Sequence, residues 1–197
     1  MSASLISLIG PPGVGKTTVA RGLARDTGAT LICEDFEGNP FLADSYLERN
    51  DARLQAQLYF LSSRVEQLLA TKWPADGLVV SDYGFCQDRI YAEEMLSADE
   101  MAAYDRQAEI AERQVHRADV IVHLDAPEPI LLSRIADRGR DYEKAMTPEF
   151  LTRMRMAYNG IDQTCGCAVI RVDTSVRDLR EPDAGAELTA QILSLLP

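Results

Sequence analysis

The sequence predicts an α/β fold: a five-stranded parallel sheet with helices on both faces, in one domain spanning residues 1–197. Two observations predict it. Short apolar runs alternate along the whole chain with helix-period patterns, as in parallel sheets covered on both sides. Residues 10–17 read GPPGVGKT, which fits G-x-x-x-x-G-K-[ST], with an apolar run before it and a helical run after it.

That motif begins the ordered reading. Residues 4–9 form the first strand, and a helix runs from Lys16 towards Asp26, ended by Gly28. Between them, Gly10, Gly13 and Gly15 let backbone N–H groups converge on phosphate oxygens, and the helix N-terminus adds partial positive charge. Lys16 is expected on the β- and γ-phosphates, Thr17 on a magnesium ion and Thr18 beside them. Residues 30–33 form a short second strand with Glu34 at its C-terminal end, where ligands bind in such sheets. Asn39-Pro40 turns the chain into a short helix.

Residues 51–71 carry a long helix, with Leu54, Leu58, Leu61, Val65 and Leu68 as its apolar stripe and Trp73-Pro74 as its stop. Gln57 and Arg64 lie two turns apart beside that stripe. A third strand, residues 78–82, ends in Asp82. Helices follow over 87–96 and 99–117, then a fourth strand over 120–124 and a helix over 127–137. Thr147 and Pro148 read as the N-cap and first residue of a further helix ending near Asn159-Gly160. Residues 168–172 form the fifth strand, and 186–196 a closing helix.

The net charge of −11 makes nucleic acid and anionic membranes poor partners, so an anionic ligand requires a local cationic cluster. Arg134, Arg138 and Arg140 are expected to provide it as a lid over residues 138–146, set against charge that grows on a transferred phosphoryl group. No secretory leader or membrane-length apolar run is present, so a cytoplasmic location is expected. The four cysteines lack metal-ligand spacing, and Cys165-Gly166-Cys167 reads as reduced thiols ahead of a strand. Asp35-Phe36-Glu37-Gly38 fits D-x-x-G, yet no N-K-x-D motif follows to support guanine reading.

Five stretches together carry a resemblance: residues 10–17, EDFEGNPFL at 34–42, QLYFLSSR at 57–64, SDYGFCQDRIYA at 81–92 and LDAPEPILLSRIADRGRDYEKAM at 124–146. In order and spacing the chain resembles the deoxynucleoside kinase family, particularly its bacterial deoxyadenosine/deoxyguanosine kinase branch. The resemblance implies a P-loop kinase fold, a homodimer, and transfer of the ATP γ-phosphoryl to the 5′-hydroxyl of a deoxynucleoside with Mg2+, purines favoured. It implies that Glu34 is the general base, that Gln57, Arg64 and Asp88 frame the base, and that Tyr46 and Glu143 hold the sugar 3′-hydroxyl. Arg134 and Arg138 match arginines on the transferred phosphate, Arg140 is a third candidate, and Asp82 matches an acid near the metal. One motif departs: many members carry acid-Arg-Ser after the third strand, where this chain has Asp82-Tyr83-Gly84. A lid arginine or Arg89 is expected to replace the lost guanidinium, unless the contact is absent. A thymidylate-type monophosphate kinase and a non-catalytic nucleotide switch are the alternatives; the first would need extra arginine near strand three, the second no convergence on a sugar.

Overall fold

The computed structural model describes residues 2–47, 49, 52–161 and 164–196. Five parallel strands, β1 (Ser4–Ile9), β2 (Thr30–Ile32), β3 (Leu78–Ser81), β4 (Val120–Asp125) and β5 (Ala168–Asp173), pair in the order β2-β3-β1-β4-β5. The order reverses at β1, whose neighbours are β3 and β4, so the loop leaving β1 opens at the switch point of the sheet.

Strand alternation divides the core. Ile6, Leu8, Val80, Val122 and Leu124 pack with α1 (Lys16–Thr27), α6 (Glu128–Arg138) and α8 (Pro182–Leu195) through Leu23, Leu131, Ile135, Leu188 and Ile192. Leu5, Ile9, Val79 and Ile121 face the opposite layer, built by α3 (Ala52–Leu68), α4 (Gln87–Met95) and α7 (Pro148–Asn159). This second layer extends outward to α5 (Ala98–Glu112), where Leu61, Ala92, Tyr104 and Ala111 form a cluster of their own. Each fully buried aliphatic side chain contributes roughly 1.5–3 kcal/mol, so the two layers, not local propensity, hold the sheet.

Local signals set several boundaries. Gly28 adopts φ 70° and closes α1, and Gly139 does the same for α6 at φ 71°. The Thr147 hydroxyl accepts from Phe150 N at 3.2 Å, with Pro148 following in the first turn of α7. Ser97 and Glu100 form a reciprocal capping box at the start of α5.

Other boundaries differ from the sequence reading. The helix expected over 51–71 ends at Leu68, and the one expected over 99–117 ends at Glu112. Both stop for the same reason. Leu69 and Val115 form an antiparallel bridge, with His116 N donating to Leu68 O at 2.7 Å and Ala70 N to Gln114 O at 3.0 Å. Backbone groups committed to another segment cannot continue a helical ladder. A 3-10 turn, Ala70–Lys72, then leads to Trp73. Asp51, the expected helix start, lies outside the described residues. The closing helix begins at Pro182 rather than 186, using proline in its first turn. The stripe of α3 is also rotated: Ala56, Gln57, Phe60, Leu61, Arg64 and Leu68 are buried, while Leu54, Leu58 and Val65 are half-buried against the α5 side. All four cysteines are free, and burial pushes the thiols of Cys86 and Cys167 up to about 12. No helix among the described residues is long and apolar enough to cross a membrane.

Candidate active site

The loop between β1 and α1 fixes the first wall of the site. Gly10 has φ +142°, and a Cβ there would stand 2.2 Å from Leu124 O, so only glycine lets the loop lie against the end of β4. At the start of α1 there is no side-chain cap and no acidic residue in the first turn. Its free N–H groups are therefore available to an anion. Lys16 folds back into this loop, donating to Gly10 O at 2.7 Å and Pro11 O at 3.3 Å. Desolvation lowers its ammonium to about 8 against the pull of Glu34 and Asp82 in the other direction.

The ends of β2 and β3 build the second wall. Asp82 Oδ1 accepts from Glu34 N at 2.8 Å, and Asp82 Oδ2 accepts from the Thr17 hydroxyl at 2.5 Å. One carboxylate thus joins the phosphate loop to the segment carrying Glu34. Glu34 is further engaged by Gln87 at 3.2 Å and by the guanidinium of Arg64. Arg64 also pairs with Asp88, and both of those side chains are almost fully buried. Its guanidinium lies 5.2 Å from the Phe60 ring centre and 5.1 Å from that of Tyr83. Arg64 Nε and Asp88 Oδ2 are buried and make no hydrogen bond among the described residues. Such atoms are uncommon in interiors and mark a place where a partner is expected.

The third wall comes from the segment after α6. Arg138 clamps Glu143 through two bonds of 2.9 and 2.7 Å, and Arg140 reaches the same carboxylate at 3.4 Å while stacking 3.6 Å above the Phe36 ring. A 3-10 turn, Asp141–Ala145, presents Glu143 inward and stacks Tyr142 on Tyr46 at 5.7 Å between ring centres. Tyr46 comes from α2 (Leu42–Tyr46) and also meets Phe150 edge-on. Burial drives its phenol well above the usual range, so it stays a neutral donor.

These walls enclose one cleft of about 350 Å³. Gly13, Gly15, Lys16, Thr17 and Thr18 line its phosphate end, with Glu34 and Asp82 beside them. Tyr46, Gln57, Arg64, Arg138, Arg140 and Glu143 line the rest. Of the residues expected from the sequence, three stand elsewhere. Gly10 shapes the loop from behind. Asp88 orients Arg64 from the next layer. Arg134 turns away from the cleft: its guanidinium donates at 2.8 Å to the Thr174 hydroxyl and at 2.8 Å to Thr174 O. There it lines a second pocket of about 560 Å³, across the phosphate loop, with the segment after β5.

Gln57, expected to frame the base, lines the cleft and is 3% exposed, with its amide 3.4 Å from Met95 Sδ. Tyr83 is fully buried, its hydroxyl bound to Gln67 at 2.6 Å, so position 83 belongs to the core. Arg89 is engaged by Glu93 and Asp105, outside the cleft. Glu37 is exposed and absent from the lining. The D-x-x-G match is a local turn: Asp35 accepts from Gly38 N at 3.0 Å and from the Tyr59 hydroxyl at 2.6 Å. Sequence reasoning missed Phe36, Phe60, Tyr91 and Met95, which wall the cleft with apolar surface, because single aromatic residues carry no periodic signal. It also missed Arg21, which reads as an ordinary solvent-facing helix position.

A hard-cation site with few protein ligands fits the oxygens at the cleft. No group of three or more His, Cys, Asp or Glu among the described residues could hold a metal. Thr17 and Asp82 instead offer a hydroxyl and a carboxylate in contact. That suits Mg2+, which keeps most of its waters and takes phosphate oxygens as ligands.

A family model described as deoxynucleoside kinase matches residues 6–196. The chain is 31% identical over 160 residues to a deoxyguanosine kinase of Bacillus subtilis, covering 80% of this chain and 77% of that one. It is 27% identical over 203 residues to the deoxyadenosine/deoxycytidine kinase of the same organism, covering 98% and 93%. Among solved structures, deoxyadenosine kinase from M. mycoides with products dCMP and a flexible dCDP bound superposes with a TM-score of 0.82 at 19% identity. The overlap covers 97% of this chain and 99% of that one. With the match running from the first strand through the closing helix, the chain belongs to the deoxynucleoside kinase family, phosphotransferases that draw on a nucleoside triphosphate.

Proposed function

We propose that this kinase transfers the γ-phosphoryl of ATP to the 5′-hydroxyl of a deoxynucleoside, with purine deoxynucleosides preferred. The observation that carries the reading is a single cleft with a phosphate loop at one end and a buried amide and guanidinium, Gln57 and Arg64, at the other. Glu34 stands between them. The relatives named for deoxyguanosine and deoxyadenosine kinase activity support the purine preference.

In this reading Lys16 and the first turn of α1 hold the donor phosphates. Thr17 and Asp82 hold Mg2+, which neutralises phosphate charge when bound. Glu34 accepts the proton of the 5′-hydroxyl as the new O–P bond forms. General-base help of this kind contributes about 10²–10⁴-fold. Gln57 and Arg64 read the base edge, with Asp88 fixing the guanidinium, while Phe60, Tyr91 and Met95 exclude water. Tyr46 and Glu143 take the sugar 3′-hydroxyl. Arg138 and Arg140 form the lid, their charge set against the phosphoryl group as it passes. Arg134 serves the donor side: with Thr174 it lines the second pocket, which shares Gly13, Gly15 and Thr18 with the phosphate end of the cleft. The enzyme acts as a homodimer in the cytoplasm.

The test is a panel of deoxynucleosides, ribonucleosides and nucleoside monophosphates with Mg-ATP, scored by product. The expected product is a purine deoxynucleoside 5′-monophosphate. Conversion of monophosphates to diphosphates alone would favour the monophosphate-kinase alternative. ATP binding with no product from any acceptor would favour a non-catalytic switch.

A further inference from the structure

Five cations line the cleft, and four of them are held by oxygen atoms of the protein. Lys16 is bound to two loop carbonyls, Arg64 to Glu34 and Asp88, and Arg138 and Arg140 to Glu143. Arg21 is the fifth. Among the described residues it makes no ion pair and no hydrogen bond to a carboxylate or carbonyl oxygen, and it stands near enough to the Cys33 thiol for its charge to be felt there. A guanidinium facing a cleft without an anionic partner is a site for an anionic ligand.

Its position says which part of the ligand. Arg21 is four residues after Thr17 on α1, hence on the same face and about 6 Å further along the axis. Cys33, its neighbour, directly precedes Glu34, whose N–H is held by Asp82. Arg21 therefore lines the cleft with the wall made by Glu34 and Asp82, one helical turn beyond Thr17. That wall has no cation from its own strand, since the residue after Asp82 is the buried Tyr83.

We propose that Arg21 is a catalytic residue of this chain, binding the phosphoryl group from the acceptor side during transfer and then the 5′-phosphate of the product. The inference rests on the proposed 5′-kinase reading. In the step, the acceptor's 5′-oxygen forms its bond to the γ-phosphorus as the bond from that phosphorus to the β–γ bridging oxygen breaks. The hydroxyl proton goes to Glu34, and the bonding pair leaves with the nucleoside diphosphate. Arg21 exchanges no proton; its contact grows as charge spreads over the transferred oxygens.

The test compares Arg21→Ala and Arg21→Lys with the parent in steady-state kinetics. It adds binding of a deoxynucleoside and of its 5′-monophosphate by calorimetry. Arg21 is exposed at the rim of α1, so the alanine variant is expected to fold. It should lose kcat on the order of 10²-fold. It should bind the monophosphate about tenfold more weakly and the nucleoside within twofold of the parent. Arg21→Lys should recover part of both losses, because it keeps the charge and loses the fork. An alanine variant with kcat within threefold of the parent and an unchanged ratio of monophosphate to nucleoside affinity would overturn the role of Arg21 alone. A parent that phosphorylates no nucleoside would overturn this role and the 5′-kinase reading together.

Discussion

Donor binding should weaken as pH rises through 8, and Lys16 is the reason. An exposed lysine stays charged to about pH 10.4, so it would give no pH dependence between 7 and 9. Here desolvation within the loop lowers the ammonium to about 8. The sign follows directly. Below 8 Lys16 is charged and ready for phosphate; above 8 it is neutral and must take up a proton on binding. With a midpoint near 8 the charged fraction falls from about 0.9 at pH 7 to about 0.1 at pH 9, roughly tenfold in affinity or about 1.4 kcal/mol. The donor's terminal phosphate has finished its own titration near pH 6, and the Tyr46 phenol is held neutral well above this window. The assay is calorimetric titration with a non-hydrolysable ATP analogue and Mg2+ at half-unit steps from pH 7 to 9.5, on the parent and on Lys16→Met. The parent should lose about tenfold; the variant should bind weakly throughout and show no slope. Thermal denaturation is the wrong readout, because the thiols of Cys86 and Cys167, pushed up to about 12 by desolvation, keep their protons in the folded state and lower stability as pH rises above 9. Equal affinity at pH 7 and 9 would refute the buried-lysine argument, and a slope surviving in Lys16→Met would assign it to another group.

The remaining predictions concern the same cleft. Glu34→Gln should lower kcat by about two orders of magnitude with nucleoside affinity largely kept, while the exposed Glu37→Gln stays within about tenfold; the reverse ranking in steady-state assays would relocate the base. Arg138→Ala removes the two-bond clamp on Glu143 and should reduce kcat more than nucleoside binding; equal kcat in the variant would return the segment to surface duty. Gln57→Ala should cost the preferred nucleoside most and flatten the preference across bases, whereas uniform losses in the acceptor panel would mark a structural amide. Gly10→Ala should destabilise by at least about 2–3 kcal/mol in urea titrations, since its Cβ would meet Leu124 O at 2.2 Å; a normal midpoint would mean that the loop yields at little cost.

The fold was legible because its signals are local and redundant. Each strand is a short apolar run, each crossover is long enough for a helix, and the phosphate motif fixes the order of the first three elements. What failed were two helix ends, 68 and 112, and both depend on one non-local bridge between Leu69 and Val115. A one-dimensional pattern contains no record of which backbone groups are taken by a distant segment. The start of α8 is a different case, because Pro182 was a readable helix-start signal that the apolar pattern from 186 onward obscured.

The site divides along the same line. Residues tied to a sequence motif or to a strand's C-terminal end, such as Lys16, Thr17, Glu34 and Asp82, meet at one end of the cleft, because parallel strands bring their ends together whatever lies between. Arg64 and Gln57 were visible as polar positions, but their burial was not. A guanidinium beside a leucine stripe reads as wet until Glu34 and Asp88, 30 and 24 residues away, are seen to satisfy it. Arg134 shows the converse. Its four-residue step from Arg138 puts both on one helix face, yet Arg138 bends toward Glu143 in the cleft and Arg134 toward Thr174, in a second pocket that Arg138 also borders. Spacing fixes where a long side chain is rooted. With flexible stems of several bonds, the partner fixes where its charge ends up, and those partners come from a carboxylate five residues on and a loop forty residues on.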